Sequence, residues 1–199
     1  MDTKKNITDK QLALDKRYIR MAQIWAENSY CQRRKVGALI VKDKMIISDG
    51  YNGTPAGFEN CCEDENGHTF PFVLHAEANA ITKVARSNNS SDGATLYVTS
   101  SPCIECSKLI IQAGISRVVF SEYYRLQDGI ELLQKAGNDD NDYNGRKDQA
   151  KGGYHRPWDS LLVKADIGGH IDADGARGGL GDGHHVGKLS VCKPAGLVG

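Results

Sequence analysis

Apolar residues recur at spacings of three and four near the start of the chain. Leu14, Tyr18, Met21, Ile24 and Trp25 mark one stripe of a helix. Thr8-x-x-Gln11, just ahead, is a capping-box pattern that opens it. The period then shortens. Val36 to Val41 and Met45 to Tyr51 read as two strands, and only Lys42, Asp43 and Lys44 separate them, which predicts a hairpin. Regularity stops at Asn52. The 23 residues from Asn52 to Leu74 carry little pattern, and a stretch that long is more than a connector.

Helical periodicity returns from His75 to Arg86, with Ala76, Ala80, Ile81 and Val84 on the inward side. Ala94 to Thr99 reads as a strand. Ser101-Pro102 reads as a helix start, a capping hydroxyl followed by proline at the first helical position, and that helix runs to Ala113. Arg117 to Ser121 is a further strand and Leu126 to Lys135 a further helix. Strand, helix and strand in succession imply a parallel crossover. The expected fold class is α/β: three layers, α/β/α, around a mixed central sheet.

Composition divides the chain near residue 138. Residues 139–199 hold 13 of the 22 glycines, nine aspartates and no glutamate. Segments such as Gly178-Gly179-Leu180-Gly181-Asp182-Gly183 cannot bury much apolar surface. The expectation is a catalytic domain over 1–138 and a Gly/Asp-rich, disordered or aberrant tail over 139–199, with one short element between Trp158 and Ile167. Lys+Arg and Asp+Glu balance at 25 each, so charge gives no sign of a nucleic-acid or membrane partner. The polar N-terminus has no apolar core of a signal peptide, and no apolar run is long enough to span a membrane. The expected location is the cytoplasm. There the six cysteines point to metal rather than disulfides.

The chemistry is concentrated in His75-Ala76-Glu77 and Pro102-Cys103-Ile104-Glu105-Cys106. This is the H-x-E…P-C-x-x-C signature of zinc-dependent nucleobase deaminases. His75, Cys103 and Cys106 offer three Zn2+ ligands and leave a fourth position for water. Cys103 and Cys106 share a helix face in the first turn, where the helix dipole favours thiolate. His75 and Glu77 are two apart and cannot share a face of a regular helix, so His75 is expected at the helix start. Zinc with two thiolates and an imidazole brings bound water towards a hydroxide. Glu77, not a ligand, moves the protons. A closed structural zinc site wants four protein ligands, and only three are spaced for it here.

Residues 14–137 resemble the deoxycytidylate (dCMP) deaminases of bacteria and phages. The resemblance rests on Lys35-Val36-Gly37-Ala38, the Gly50-Tyr51-Asn52-Gly53-Thr54-Pro55-Ala56-Gly57 loop, Asn60-Cys61-Cys62, the two zinc motifs with their flanks, and Glu122-Tyr123-Tyr124. It implies a cytidine deaminase-like fold and dCMP as substrate, with dUMP as product for thymidylate synthesis. It also implies Asn52, Asn79 and Tyr123 at the substrate, and Gly50, Tyr51 and Gly53 at an allosteric nucleotide site. A homohexamer with dCTP and dTTP as effectors completes the implied set.

Arg33, Arg34, Lys35 and Arg125 are candidates for the 5′-phosphate. By the same resemblance, Cys31 and Cys61, with His68 nearby, form a candidate second zinc site; the alternative is a group of reduced thiols. After Ala136-Gly137 the chain departs from the family pattern. Asn138-Asp139-Asp140-Asn141-Asp142 has no strand character, so the last strand is either missing or replaced by Leu161-Leu162-Val163. An unrelated extension or an altered reading frame would account for that. The competing functions are another deaminase (of tRNA adenosine, cytidine or cytosine) and a catalytically silent nucleotide-binding relative.

Overall fold

A computed structural model of the chain describes residues 9–138 and 162–164. Helix α1 (Asp9–Ala26) leads to the hairpin β1 (Gly37–Lys42) and β2 (Met45–Tyr51). Then follow α2 (Ala76–Ala85), β3 (Thr95–Ser100), α3 (Ile104–Gln112), β4 (Arg117–Glu122), α4 (Asp128–Asn138) and β5 (Leu162–Lys164). The hairpin turns on Asp43 and Lys44 alone, both at positive φ (50° and 65°), as a two-residue turn that matches strand twist requires.

The sheet order is β2-β1-β3-β4-β5. β1 runs antiparallel to both β2 and β3, whereas β3, β4 and β5 are parallel, so the sheet is mixed as predicted. β5 supplies the edge strand, with Leu162 opposite Val118 and Lys164 opposite Phe120. The last strand is therefore replaced from beyond the composition break, one residue along from Leu161–Val163. The rest of the expected tail, 139–161 and 165–199, lies outside the described residues, as does Thr8 of the capping box.

Strand alternation sorts the core into two layers. Ala38, Ile40, Leu96, Val98, Val118 and Phe120 face α2, α3 and α4. Leu39, Val41, Tyr97 and Val119 face Tyr18, Ile19 and Ala22 of α1. The stripe expected on α1 is thus displaced. Tyr18 is buried, but Met21, Ile24 and Trp25 are exposed, and Asp15, Ile19, Ala22 and Ala26 face the sheet. The reason is close approach: a Cβ on Gly37 would collide with the Ala22 carbonyl and lie 2.8 Å from the Ala26 nitrogen. Small residues win that face because the helix backbone lies almost on the strand. Among the described residues, no helix is long and apolar enough to cross a membrane.

The α1 layer also holds a buried charge. Arg117 grips Asp15 through two hydrogen bonds of 2.9 and 2.6 Å, and Tyr97 Oη and Gln11 Nε2 donate to Asp15 Oδ1 at 2.8 and 2.9 Å. Burial opposes ionisation of Asp15, but these donors outweigh it and hold the carboxyl below its ordinary value. Removing one partner of such a pair strands the other, so Asp15→Asn should cost about 3–5 kcal/mol in urea unfolding at pH 7. A depressed carboxyl contributes fully above its unfolded pKa of about 3.9 and loses that contribution as pH falls through the lower folded value. The gap between wild type and Asp15→Asn should narrow in that acid range; a gap independent of pH would contradict the assignment.

Candidate metal centre and cavity

Two helix N-termini build the site. His75 is the N-cap of α2 and Cys103 the N-cap of α3, both with extended backbone (φ −73°, ψ 156° and φ −75°, ψ 170°). Neither side chain caps its own helix, which leaves both free to point at a common centre. Cys106 sits one turn into α3, beneath Cys103. His75 Nδ1 lies 3.4 Å from the sulfurs of both Cys103 and Cys106. His75 at the helix start agrees with the spacing argument. The α3 start does not match expectation. Ser101 takes the Tyr124 N–H at 2.7 Å instead of capping α3, and the helix begins after Cys103, two residues beyond Pro102.

The donor atoms of His75, Cys103 and Cys106 all fall within 4.8 Å of one another, the one such group among the described residues. Their electrostatics suit a cation. The Cys106 thiol hydrogen-bonds Cys103 and, with the His75 ring, pulls the Cys103 thiol down to about 3. The same contact, together with burial, pushes Cys106 up. The hydrogen bond to Cys103 also raises His75. The group by itself therefore tolerates one thiolate and resists a second. Two thiolates and a neutral imidazole at this spacing are a zinc donor set, and the three residues fit that ion.

Glu77 is buried, only 4% exposed, and burial raises its carboxyl above the ordinary value. It lies outside the donor group but lines the same cavity, which has a volume of about 420 Å³. His75, Glu77 and Cys103 line it together with Asn52, Ser101 and Tyr124.

Not every expected site residue faces this space in the same way. Asn52 does line the cavity, but its amide is committed to the chain: Oδ1 accepts from Val36 N–H at 2.7 Å and Nδ2 donates to the Arg34 carbonyl at 2.8 Å. Asn79 Nδ2 donates to the Tyr51 carbonyl at 3.0 Å and is not part of the lining. Tyr123 packs edge-on against Phe120 (centroids 5.1 Å apart), and its neighbour Tyr124 takes the place at the cavity. Gly50 and Gly53 have structural work. A Cβ on Gly50 would collide with the Ala76 carbonyl and come within 2.7 Å of the Ala80 nitrogen. Gly53 pairs with Leu74 through hydrogen bonds of 3.1 and 2.8 Å and closes the base of the long loop. Lys83 Nζ lies 5.8 Å from the Tyr51 ring centroid.

Cys31, Cys61 and His68 are not brought together. Cys31 lines the cavity, its sulfur 3.7 Å from the Asn52 carbonyl, and contacts buried Cys62. The Cys61 sulfur lies 3.4 Å from the Glu63 carbonyl, and His68 Nδ1 sits 3.3 Å from Asp64. Lys35 leaves the phosphate candidates, since its Nζ reaches the Glu27 carbonyl at 3.3 Å. Glu63 went unnoticed in the sequence, where nothing marks it. Its carboxylate accepts the N–H groups of Gln32 and Arg33 at 3.2 and 3.4 Å and ties the two loops that wall the cavity.

A buried carboxyl sharing a cavity with a His and two Cys that can hold a metal ion, on an α/β scaffold, is the arrangement of a metal-binding protein with an open coordination position. The family model for the cytidine and deoxycytidylate deaminase zinc-binding region matches residues 12–122, and the chain belongs to that family. It is 40% identical over 120 residues to the deoxycytidylate deaminase of Mycobacterium phage D29, covering 53% of this chain and 92% of that one. It is 39% identical over 134 residues to the deoxycytidylate deaminase of Saccharomyces cerevisiae, covering 62% and 42%. ComE operon protein 2 of Bacillus subtilis is 40% identical over 125 residues, covering 60% and 66%. The chain thus spans less than half of the yeast protein and about two thirds of the Bacillus one. Among solved structures, the dCMP deaminase of cyanophage S-TIM5 in complex with dCMP and dUMP superposes with a TM-score of 0.62 at 47% identity, covering 66% of this chain and 96% of that one.

Gly129 of α4 seats the second half of the metal group. A Cβ there would collide with the Pro102 carbonyl and lie 2.7 Å from the Cys103 carbonyl carbon and 2.8 Å from Ser107 Oγ. Gly129→Ala should push the Cys103 turn outward at a cost of about 1–3 kcal/mol. Chelator competition should show weaker zinc binding than wild type. Unchanged zinc affinity would mean that α4 does not support the ligand.

Proposed function

We propose that this chain hydrolyses dCMP to dUMP and ammonia. The observation that carries the reading is the buried Glu77 carboxyl beside the His75–Cys103–Cys106 group in one cavity. The cyanophage relative, 47% identical and crystallised with dCMP and dUMP, supports the choice of substrate. A zinc ion held by the three residues would supply the Lewis acidity that makes water a nucleophile near neutral pH. Glu77 takes a proton from the attacking water and gives it to N3 of the pyrimidine; it then takes the proton of the hydroxyl added at C4, which becomes the carbonyl, and delivers it to the amine as the C4–N bond breaks. Its burial keeps that exchange away from bulk solvent and raises its proton affinity above that of an exposed carboxyl. Tyr124 and the Asn52-supported segment 34–36 form walls that orient the nucleotide.

The same reading includes a cytoplasmic enzyme feeding thymidylate synthesis, a homohexamer, and dCTP and dTTP as effectors near Gly50, Tyr51 and Gly53. The family resemblance supports these points.

Zinc-loaded protein should release ammonia from dCMP and not from cytosine or a tRNA anticodon stem; release from either of those in place of dCMP would reassign the substrate. Glu77→Gln should lower turnover by about 10²–10⁴-fold while one zinc per chain is retained by metal analysis. Activity close to wild type would remove Glu77 from the proton path.

A further inference from the structure

Among the described residues, three thiols stand outside the metal-donor group: Cys31, Cys61 and Cys62. Cys31 lies in the loop between α1 and β1, and Cys61 and Cys62 in the long loop between β2 and α2. Chain neighbours clamp these two loops together. The Glu63 carboxylate accepts the Gln32 and Arg33 N–H groups at 3.2 and 3.4 Å, and Arg33 Nη1 donates to Thr69 Oγ1 at 3.4 Å. Gln32 and Glu63 each follow a cysteine. Joining them sets Cys31 beside Cys62, and the Cys62 thiol donates a hydrogen bond to the Cys31 sulfur. Cys31 Sγ in turn lies 3.7 Å from the Asn52 carbonyl, which also accepts Ser29 Oγ at 2.7 Å. The Cys61 sulfur is directed to the Glu63 carbonyl at 3.4 Å.

Access separates the two members of the pair. Both are shielded from bulk solvent, at 2% and 1% exposure, but Cys31 is part of the cavity lining and Cys62 is not. A small oxidant that enters the cavity therefore meets Cys31 first. Burial and the hydrogen bond to Cys31 push the Cys62 thiol up to about 12, so it stays protonated and does not compete as the first nucleophile. Sulfurs already in hydrogen-bond contact need only a small side-chain rotation to reach the S–S bond length of about 2.05 Å.

We propose that Cys31 and Cys62 form a dithiol that hydrogen peroxide oxidises to a reversible disulfide, stapling together the two loops that wall the cavity. The Cys31 thiolate attacks one peroxide oxygen. The O–O bond breaks, hydroxide leaves, and Cys31 becomes the sulfenic acid. The Cys62 sulfur then attacks the Cys31 sulfur; the S–O bond breaks, and the Cys62 proton departs with the hydroxide as water. In all, two thiols give up two electrons and two protons, and peroxide is reduced to two waters. Neither sulfur belongs to the metal-donor group, so the inference stands apart from the choice of substrate.

The zinc-loaded full chain, which keeps Cys103 and Cys106 ligated, should be treated with hydrogen peroxide, blocked with iodoacetamide and mapped by mass spectrometry. A Cys31–Cys62 peptide pair that has lost two hydrogens is expected, and dithiothreitol should restore both thiols. Cys61→Ser should cross-link as wild type does. Cys62→Ser should instead leave Cys31 as a sulfenic acid that dimedone traps. Amide hydrogen exchange in segments 28–34 and 58–63 should slow severalfold in the oxidised form. A wild type in which Cys31 stays reduced or stops at the sulfinic acid would overturn the proposal. A cross-link through Cys61, or exchange that oxidation leaves unchanged, would do the same.

Discussion

The structure depends on bringing two helix N-termini, far apart in sequence, to one point. His75 and Cys103 are separated by 28 residues, yet His75 Nδ1 reaches both sulfurs at 3.4 Å. Neither helix could reach that point unaided. α2 is pressed home by β2, where Gly50 gives up its side chain so that strand and helix backbones touch. α3 packs on α2 and α4, and its first turn is held by Gly129 of α4. Two backbone contacts that only glycine permits therefore determine where three side chains meet. The burial of Glu77 follows from the same seating of α2, since it lies two residues beyond the N-cap.

The two faces of the sheet do different work. One face carries the metal-bearing helices over an apolar floor of Ala38, Ile40, Leu96, Val98, Val118 and Phe120. The other carries α1 and the Asp15–Arg117 pair, closed by Tyr97 and Gln11. Strand alternation makes this possible, because Tyr97 points to one layer and its neighbours Leu96 and Val98 to the other. A fixed buried charge is thereby kept on the side of the sheet opposite the one that must accommodate a cation and moving protons. The ion pair and the metal-donor group share strands but lie on opposite faces.

Regular elements and the metal-donor group were legible in the sequence because each follows a local rule. Period-two and period-3.6 patterns located the strands and helices to within a few residues, and His75 at a helix start followed from its distance to Glu77. Where the structure departs from the sequence pattern, the cause is tertiary. Met21, Ile24 and Trp25 looked like the buried stripe of α1 because apolar residues usually are; the close approach at Gly37 gave that face to Ala22 and Ala26 instead. Tyr123 and Tyr124 differ by one position, and only the path of the chain beyond β4 decides which reaches the cavity. Cys31, Cys61 and His68 matched a pattern but do not meet. Glu63 carried no pattern at all.

That division has a chemical meaning. The donor group of His75, Cys103 and Cys106 and the buried Glu77 stand at the starts of regular helices whose patterns can be read. The segment around Arg34 that Asn52 holds, the loop that Glu63 ties to it, and the turn carrying Tyr124 and Arg125 wall the cavity instead. These segments have no period. Their conformation is set by individual hydrogen bonds between residues tens of positions apart, such as Glu63 to Gln32 and Tyr124 to Ser101. A centre fixed by backbone contact is thus surrounded by loops fixed by side chains, an arrangement in which loop residues can change one by one while the scaffold stays as it is.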